Sequence, residues 1–258
     1  MKPCWIGTSW KMNKTGREAT KWIENVVDYL QTANCHHQIF VIPPFPYIEQ
    51  VSRMAHVGKV LVGAQNMCWD DAGAYTGEIS PIMLKDCGAT LVEIGHSERR
   101  HWFNESDETV NKKVLAALKH GLRPLICVGD TEQEKNWSVS VESVVRQVKI
   151  ALHNVPHEKL SSVIIAYEPV WAIGDKGIPA TEEEAEFIHS AIRTALTEMY
   201  DKEIADSIYI LYGGSVNHSN AVGLLKKPNI DGVFIGRSAW DSEDFCRLIQ
   251  ISETLSVE

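Results

Sequence analysis

The sequence predicts an α/β fold of the closed (β/α)8 barrel type, eight parallel strands inside a ring of helices. Short apolar runs alternate with longer amphipathic ones along the chain, and the alternation yields about eight strand-helix units, the number such a barrel needs. The length of 258 residues is also the size expected of it. Strands separated by helices pair in parallel, because each return to the same edge requires a crossover. An open doubly wound sheet shares this local pattern, but no GxGxxG follows the first strand, which weakens a dinucleotide-binding reading. No linker or low-complexity stretch divides the chain, so residues 1–258 read as one domain.

Each element has its own signal. Residues 4–7 read as the first strand. Residues 16–30 read as a helix, with Ala19, Trp22, Ile23, Val26, Val27 and Leu30 on one face. The strand over 38–42 stops at Pro43 and Pro44, which can continue neither a ladder nor a helix. A helix over 48–54 and a strand over 60–64 precede a long polar loop from Gln65 to Glu78. The alternation resumes with a short helix over 81–87, a strand over 90–94 and a helix over 108–120. In the second half, strands over 122–128, 163–166, 208–211 and 232–235 alternate with helices over 141–152, 182–199, 220–225 and 244–251. Glu182, Glu183 and Glu184 put negative charge at the positive end of the long helix dipole.

Composition narrows the function. At 44% hydrophobic and 23% charged residues the chain is globular in character. It has no run of about eighteen apolar residues to span a bilayer, and its first residues lack the apolar core of a signal peptide, so no membrane association and a cytoplasmic location are expected. The six cysteines are scattered without CxxC spacing, several in strand-like runs, which favours buried thiols over disulfides or a metal site. A net charge of -9 argues against nucleic-acid binding, while leaving room for a local pocket that takes a small anion.

A barrel carries its chemistry where the strands end. The apolar run Ile164-Ile165-Ala166-Tyr167 stops at Glu168, and a carboxylate beside low-dielectric protein gains proton affinity, as a base requires; a solvated acid at a strand end is the plain alternative. Lys11 follows the first strand between Trp10 and Met12, where a fully solvated side chain is less expected than elsewhere. His96 stands where the fourth strand gives way to polar chain, a place open to a structural or a chemical histidine. After the seventh strand comes Tyr212-Gly213-Gly214-Ser215-Val216, and after the eighth Gly236-Arg237-Ser238. Glycines there serve tight turns or let backbone N–H groups approach a phosphate, and two such loops where barrels hold phosphate favour a ligand.

These residues sit in blocks that resemble the triosephosphate isomerase family. Ser9-Trp10-Lys11-Met12-Asn13, Gly63-Ala64-Gln65-Asn66, Gly73-Ala74-Tyr75-Thr76-Gly77-Glu78, Gly95-His96-Ser97-Glu98-Arg99-Arg100, Ala166-Tyr167-Glu168-Pro169-Val170-Trp171 and Tyr212-Gly213-Gly214-Ser215-Val216 occur in the family's order from the first strand to the last. The resemblance implies a TIM barrel and a phosphosugar isomerase without cofactor or metal. It makes Glu168 the base, His96 a neutral electrophile, Glu98 a supporting carboxylate and Lys11 the cation on the substrate oxygens. Gly174, Ser215 and the backbone around Gly213, Gly214 and Gly236 would hold the phosphate, and residues 169–180 would close as a lid. The loop from Gln65 to Glu78 resembles the family's dimer loop, which implies a homodimer.

Three departures from the family pattern bear on the substrate. Ser9 replaces the Asn before Trp-Lys; Asp175-Lys176-Gly177-Ile178-Pro179-Ala180 replaces the lid's Thr-Gly-Lys-Thr-Ala; and Gly236-Arg237 replaces Gly-Gly. Serine frees space and removes an amide beside Lys11, room for one more hydroxymethyl group, while Arg237 adds a guanidinium at the phosphate side. With Phe234-Ile235-Gly236-Arg237-Ser238-Ala239-Trp240, the first block resembles the erythrulose-phosphate isomerase branch. The implied reaction converts L-erythrulose 1-phosphate to D-erythrulose 4-phosphate, with triose phosphate isomerisation as the alternative. A barrel that binds phosphosugar without turnover is disfavoured, because binding alone needs no base. A Schiff-base aldolase would need a lysine inside a later strand, and the fifth to seventh strands carry none.

Overall fold

Strand pairing closes the molecule on itself. In the computed structural model, which describes residues 3–173, 177 and 179–256, eight parallel strands pair in sequence order and the last pairs with the first. The elements are β1 (Trp5–Ser9), α1 (Gly16–Thr32), β2 (Gln38–Ile42), α2 (Ile48–Ala55), β3 (Leu61–Ala64), α3 (Pro81–Asp86), β4 (Leu91–Ile94), α4 (Ser97–Trp102), α5 (Asp107–Lys119) and β5 (Arg123–Val128). They continue with α6 (Glu132–Asn136), α7 (Ser140–Ala151), β6 (Ile164–Tyr167), α8 (Glu182–Met199), α9 (Lys202–Ser207), β7 (Tyr209–Tyr212), α10 (Ala221–Leu225), β8 (Gly232–Ile235) and α11 (Ser242–Glu253). The barrel expectation holds, and among the described residues no helix is long and apolar enough to cross a membrane.

The strands are short and apolar because both faces are covered. Inward positions, taken by Phe40, Ile42, Leu91, Leu125, Ile164, Leu211 and Phe234 among others, pack as one cluster inside the barrel. Outward positions such as Ile39, Val41, Val92, Ile126, Ile165 and Ile210 pack with the buried faces of the helices. Capping boxes start four helices: Thr15 with Glu18, Ser106 with Thr109, Thr131 with Glu134 and Thr181 with Glu184 each exchange side-chain and backbone bonds. No disulfide joins the six cysteines, and Cys4, Cys68 and Cys127 are buried.

The structure corrects several boundaries. β1 runs to Ser9 where the sequence suggests an end at residue 7, because Thr8 and Ser9 pair with Val41 and Ile42 and are buried despite their hydroxyls. The short helices α4, α6 and α9 are not evident in the sequence: they are charged, too brief for a periodicity, and depend on caps from His96, Thr131 and Asp201.

Candidate active site

β6 delivers Glu168 by carrying its ladder one residue past the strand. The Glu168 N–H donates to the Val128 carbonyl at 2.8 Å before Pro169 ends the pairing. The side chain points into the barrel mouth and is only 3% exposed, with no hydrogen-bond partner for Oε2 among the described residues. Burial pushes its pKa up to about 7 against the opposing charge of Lys11. Gly213 leaves it room, since a Cβ there would lie 2.7 Å from Glu168 Cγ.

His96 reaches the same place from β4. Gly95 turns the chain at φ +78°, with its N–H donating to the buried Glu105 carboxylate at 3.2 Å. His96 then caps α4: its Nδ1 accepts the Glu98 N–H at 3.1 Å. The ring proton therefore belongs on Nε2, which lies 3.5 Å from Glu168 Oε2. Burial first, then the charges of Lys11 and Arg99, hold the imidazole down to about 3, so it is neutral at physiological pH. One donor atom from each of Glu93, His96 and Glu168 lies within 4.8 Å of the others, but a protonated Nε2 has no lone pair to give a cation, so the set suits proton chemistry better.

Lys11 completes the mouth from β1. Its backbone is left-handed, at φ +52°, and its carbonyl accepts the Gln65 side-chain amide at 2.8 Å. Its ammonium donates to Glu98 Oε1 at 2.7 Å. Ser9, buried at the end of β1, donates to Glu93 Oε2 at 2.9 Å, and its carbonyl accepts the Trp240 indole N–H at 3.0 Å. Ser9, Lys11, His96, Glu98 and Glu168 line one cavity of about 340 Å³. The opposite wall of that cavity is Gly213, Gly214, Ser215, Gly236 and Arg237, from the loops after β7 and β8. Gly174 lies outside the described residues, as do Asp175, Lys176 and Ile178 of the expected lid.

The family model described as triosephosphate isomerase matches residues 4–252. The chain belongs to the triosephosphate isomerase family. It is 48% identical over 246 residues to an L-erythrulose-1-phosphate isomerase of Mesorhizobium japonicum, covering 95% of both chains. An L-erythrulose-1-phosphate isomerase of Rhizobium etli is also 48% identical, over 95% of this chain and 91% of its own. A triosephosphate isomerase of Caldanaerobacter subterraneus subsp. tengcongensis is 44% identical over 95% of this chain and 97% of its own.

Within this family member, three acidic residues at or around the mouth escape a reading of the sequence. Glu93 is buried in β4; a carboxylate at an inward position of an otherwise apolar strand is the signal that could have marked it. Asp130, just past β5, accepts from Tyr167 Oη at 2.8 Å, Trp171 Nε1 at 3.2 Å and Ser140 Oγ at 2.7 Å, pinning the segment after β6 to the barrel. Glu105 joins Arg99, at 2.7 Å, and Lys113, at 3.2 Å, beneath the His96 turn. The partners of Asp130 and Glu105 come from separate elements, which no local pattern records.

Proposed function

We propose that this chain is a sugar-phosphate isomerase that moves a carbonyl by enediol proton transfer, converting L-erythrulose 1-phosphate to D-erythrulose 4-phosphate. The observation that carries the reading is the meeting of Glu168, His96 and Lys11 on one cavity, with Glu168 and His96 at 3.5 Å. Glu168 takes the proton from the carbon beside the carbonyl and returns it one carbon along. His96, a neutral Nε2–H donor, polarises the carbonyl oxygens, and Lys11 places its charge on the same oxygens and the phosphate. This division of base and neutral imidazole is the one known for triosephosphate isomerases and is carried over with the family.

The chemistry needs both halves. A positioned base contributes about 10²–10⁴-fold, and a donor aimed at the developing enediolate adds roughly 3 kcal/mol more. The Glu98 carboxylate accepts from the Lys11 ammonium while its backbone N–H donates to His96 Nδ1, so Glu98 acts as the supporting residue for both. Gly174, Gly213, Gly214, Ser215, Gly236 and Arg237 are proposed to grip the phosphate, with the 169–180 segment closing over it.

Ser9 beside Lys11 supports the four-carbon substrate, since a hydroxyl occupies less of the mouth than an amide. The 44% identity to a triosephosphate isomerase favours the second reading, isomerisation of dihydroxyacetone phosphate to glyceraldehyde 3-phosphate. The proposed organisation is a single domain over 1–258, working in the cytoplasm as a homodimer joined through the loop from Gln65 to Glu78. The exposed Tyr75 on that loop and the exposed Ile82, Met83, Trp102 and Phe103 beyond it support a covered face. The test is kcat/KM measured side by side on L-erythrulose 1-phosphate and dihydroxyacetone phosphate. A preference for the triose phosphate by more than about tenfold, the scale on which one methylene is discriminated, rejects the four-carbon reading. Turnover of neither substrate by a protein that binds both rejects the enzyme.

A further inference from the structure

Glu93 has no part in the proton transfer described above, yet its position is a demanding one. Along β4 it takes the inward position next after Leu91, in a barrel interior otherwise filled there by Ile42, Cys127, Ala166 and Phe234. A hydrocarbon side chain at that position would pack without losing hydration. A carboxyl loses its water and is 3% exposed. Its hydrogen-bond partner is the Ser9 hydroxyl at 2.9 Å, and His96 Nε2 stands 3.9 Å from its other oxygen. Ser9 lines the cavity, and Glu93 lies one layer behind it.

Burial, reinforced by the charge of Glu168, pushes the Glu93 carboxyl up to about 8, against the Ser9 hydrogen bond and Lys11. At neutral pH it therefore holds its proton, and the carboxyl and hydroxyl form a neutral pair able to give or accept a hydrogen bond at the cavity wall. That matters at one end of the substrate. A four-carbon ketose phosphate differs from dihydroxyacetone phosphate by a hydroxymethyl group beyond the carbon that loses its proton. The added hydroxyl gives up hydrogen bonds to water on entering the pocket and needs a partner there.

We propose that Glu93 is a specificity-determining residue: it fixes the Ser9 hydroxyl as the seat for the terminal hydroxymethyl group of a four-carbon ketose phosphate. This rests on the isomerase reading given above and deepens it by naming the residues that set chain length. Glu93 acts through Ser9 and is a positioning residue; Ser9 meets the substrate. Because the pair works as a unit, removing either member removes the seat, and removing both takes away little more.

The experiment uses the full chain and measures kcat and KM on L-erythrulose 1-phosphate and on dihydroxyacetone phosphate for the parent, Ser9→Ala, Glu93→Gln, Glu93→Leu and Ser9→Ala/Glu93→Leu. The expected result is a loss of about 10- to 100-fold in kcat/KM on the four-carbon substrate, at least about tenfold greater than the loss on the three-carbon one. The double variant falls no further than its worse single variant. Equal losses on both substrates, or losses that multiply in the double variant, overturn the proposal and reduce Glu93 to a structural role. If Glu93→Leu does not fold, Ser9→Ala and Glu93→Gln decide by the same ratio. A parent enzyme that prefers the triose phosphate overturns the substrate reading and this proposal together. A parent that prefers the tetrose phosphate, with variants that lose both substrates alike, overturns the proposal alone.

Discussion

Gly213→Ala tests whether the base is held by packing. The Cβ added there would sit 2.7 Å from Glu168 Cγ and 3.4 Å from Oε1. Carbon atoms rest at about 3.5–4.0 Å, so the overlap with Cγ is about 1 Å. The Gly213 N–H is tied to the Tyr167 carbonyl at 2.8 Å, and Glu168 is the residue after Tyr167, so the two backbones cannot simply part. The Glu168 side chain must swing by about that 1 Å, and a misplacement of this size in a reacting group costs about 10²-fold in rate. The crowding itself should cost about 1–3 kcal/mol of stability. Steady-state kinetics separate this account from one in which Gly213 serves the phosphate alone: a displaced base lowers kcat, whereas a spoiled phosphate grip raises KM. A kcat within about threefold of the parent with a raised KM, far short of the roughly 10²-fold expected, refutes the packing argument.

Glu168→Gln should lower kcat by at least the roughly 10²–10⁴-fold a general base supplies, while calorimetry still detects inorganic phosphate binding; undiminished turnover removes Glu168 as the base. Glu93 keeps its proton in the folded chain up to about 8 but releases it near the ordinary carboxylate value when unfolded, so its contribution to stability is present at low pH and lost as pH rises through that window. Urea unfolding at pH 5 and pH 9 should accordingly show Glu93→Gln gaining stability relative to the parent at the higher pH, and a difference independent of pH contradicts the raised value. Glu105→Ala should cost about 3–5 kcal/mol in the same assay, because it strands Arg99 and the buried Lys113 and releases the Gly95 N–H; a loss under about 1 kcal/mol means that the cluster does not hold the His96 turn.

The fold was legible because strands buried on both faces leave apolar runs that composition cannot hide. Where polar residues enter a strand the signal fails, and Ser9 and Glu93 are the cases that matter. Ser9 belongs to β1 although its hydroxyl reads as loop, and Glu93 hides between Val92 and Ile94 as one charged letter. Glu168, His96 and Lys11 were individually visible at strand ends, but each kept an ordinary alternative until the family blocks tied them together. Their convergence is a property of barrel closure: β1, β4 and β6 face one another only after β8 pairs with β1. The tautomer of His96 depends on the cap of a six-residue helix that has no periodicity to read.

Lys11 links these features electrostatically. Its charge lowers the proton affinity of Glu168, of Glu93 and of His96 together. For the carboxyls it opposes burial and keeps Glu168 near neutrality, where a base both holds its charge and gains from taking a proton. For the imidazole it adds to burial, so the ring is a donor without being a cation. One ammonium thus favours the deprotonated form of both groups, an anionic carboxylate beside a neutral imidazole at the same pH, provided it stays at the mouth. Its place is fixed by a left-handed backbone that costs roughly 1–2 kcal/mol, held by the Gln65 amide on the Lys11 carbonyl. Gln65 opens the loop proposed to carry the dimer contact, so the anchoring of that loop and the protonation pattern of the pocket depend on a shared hydrogen bond.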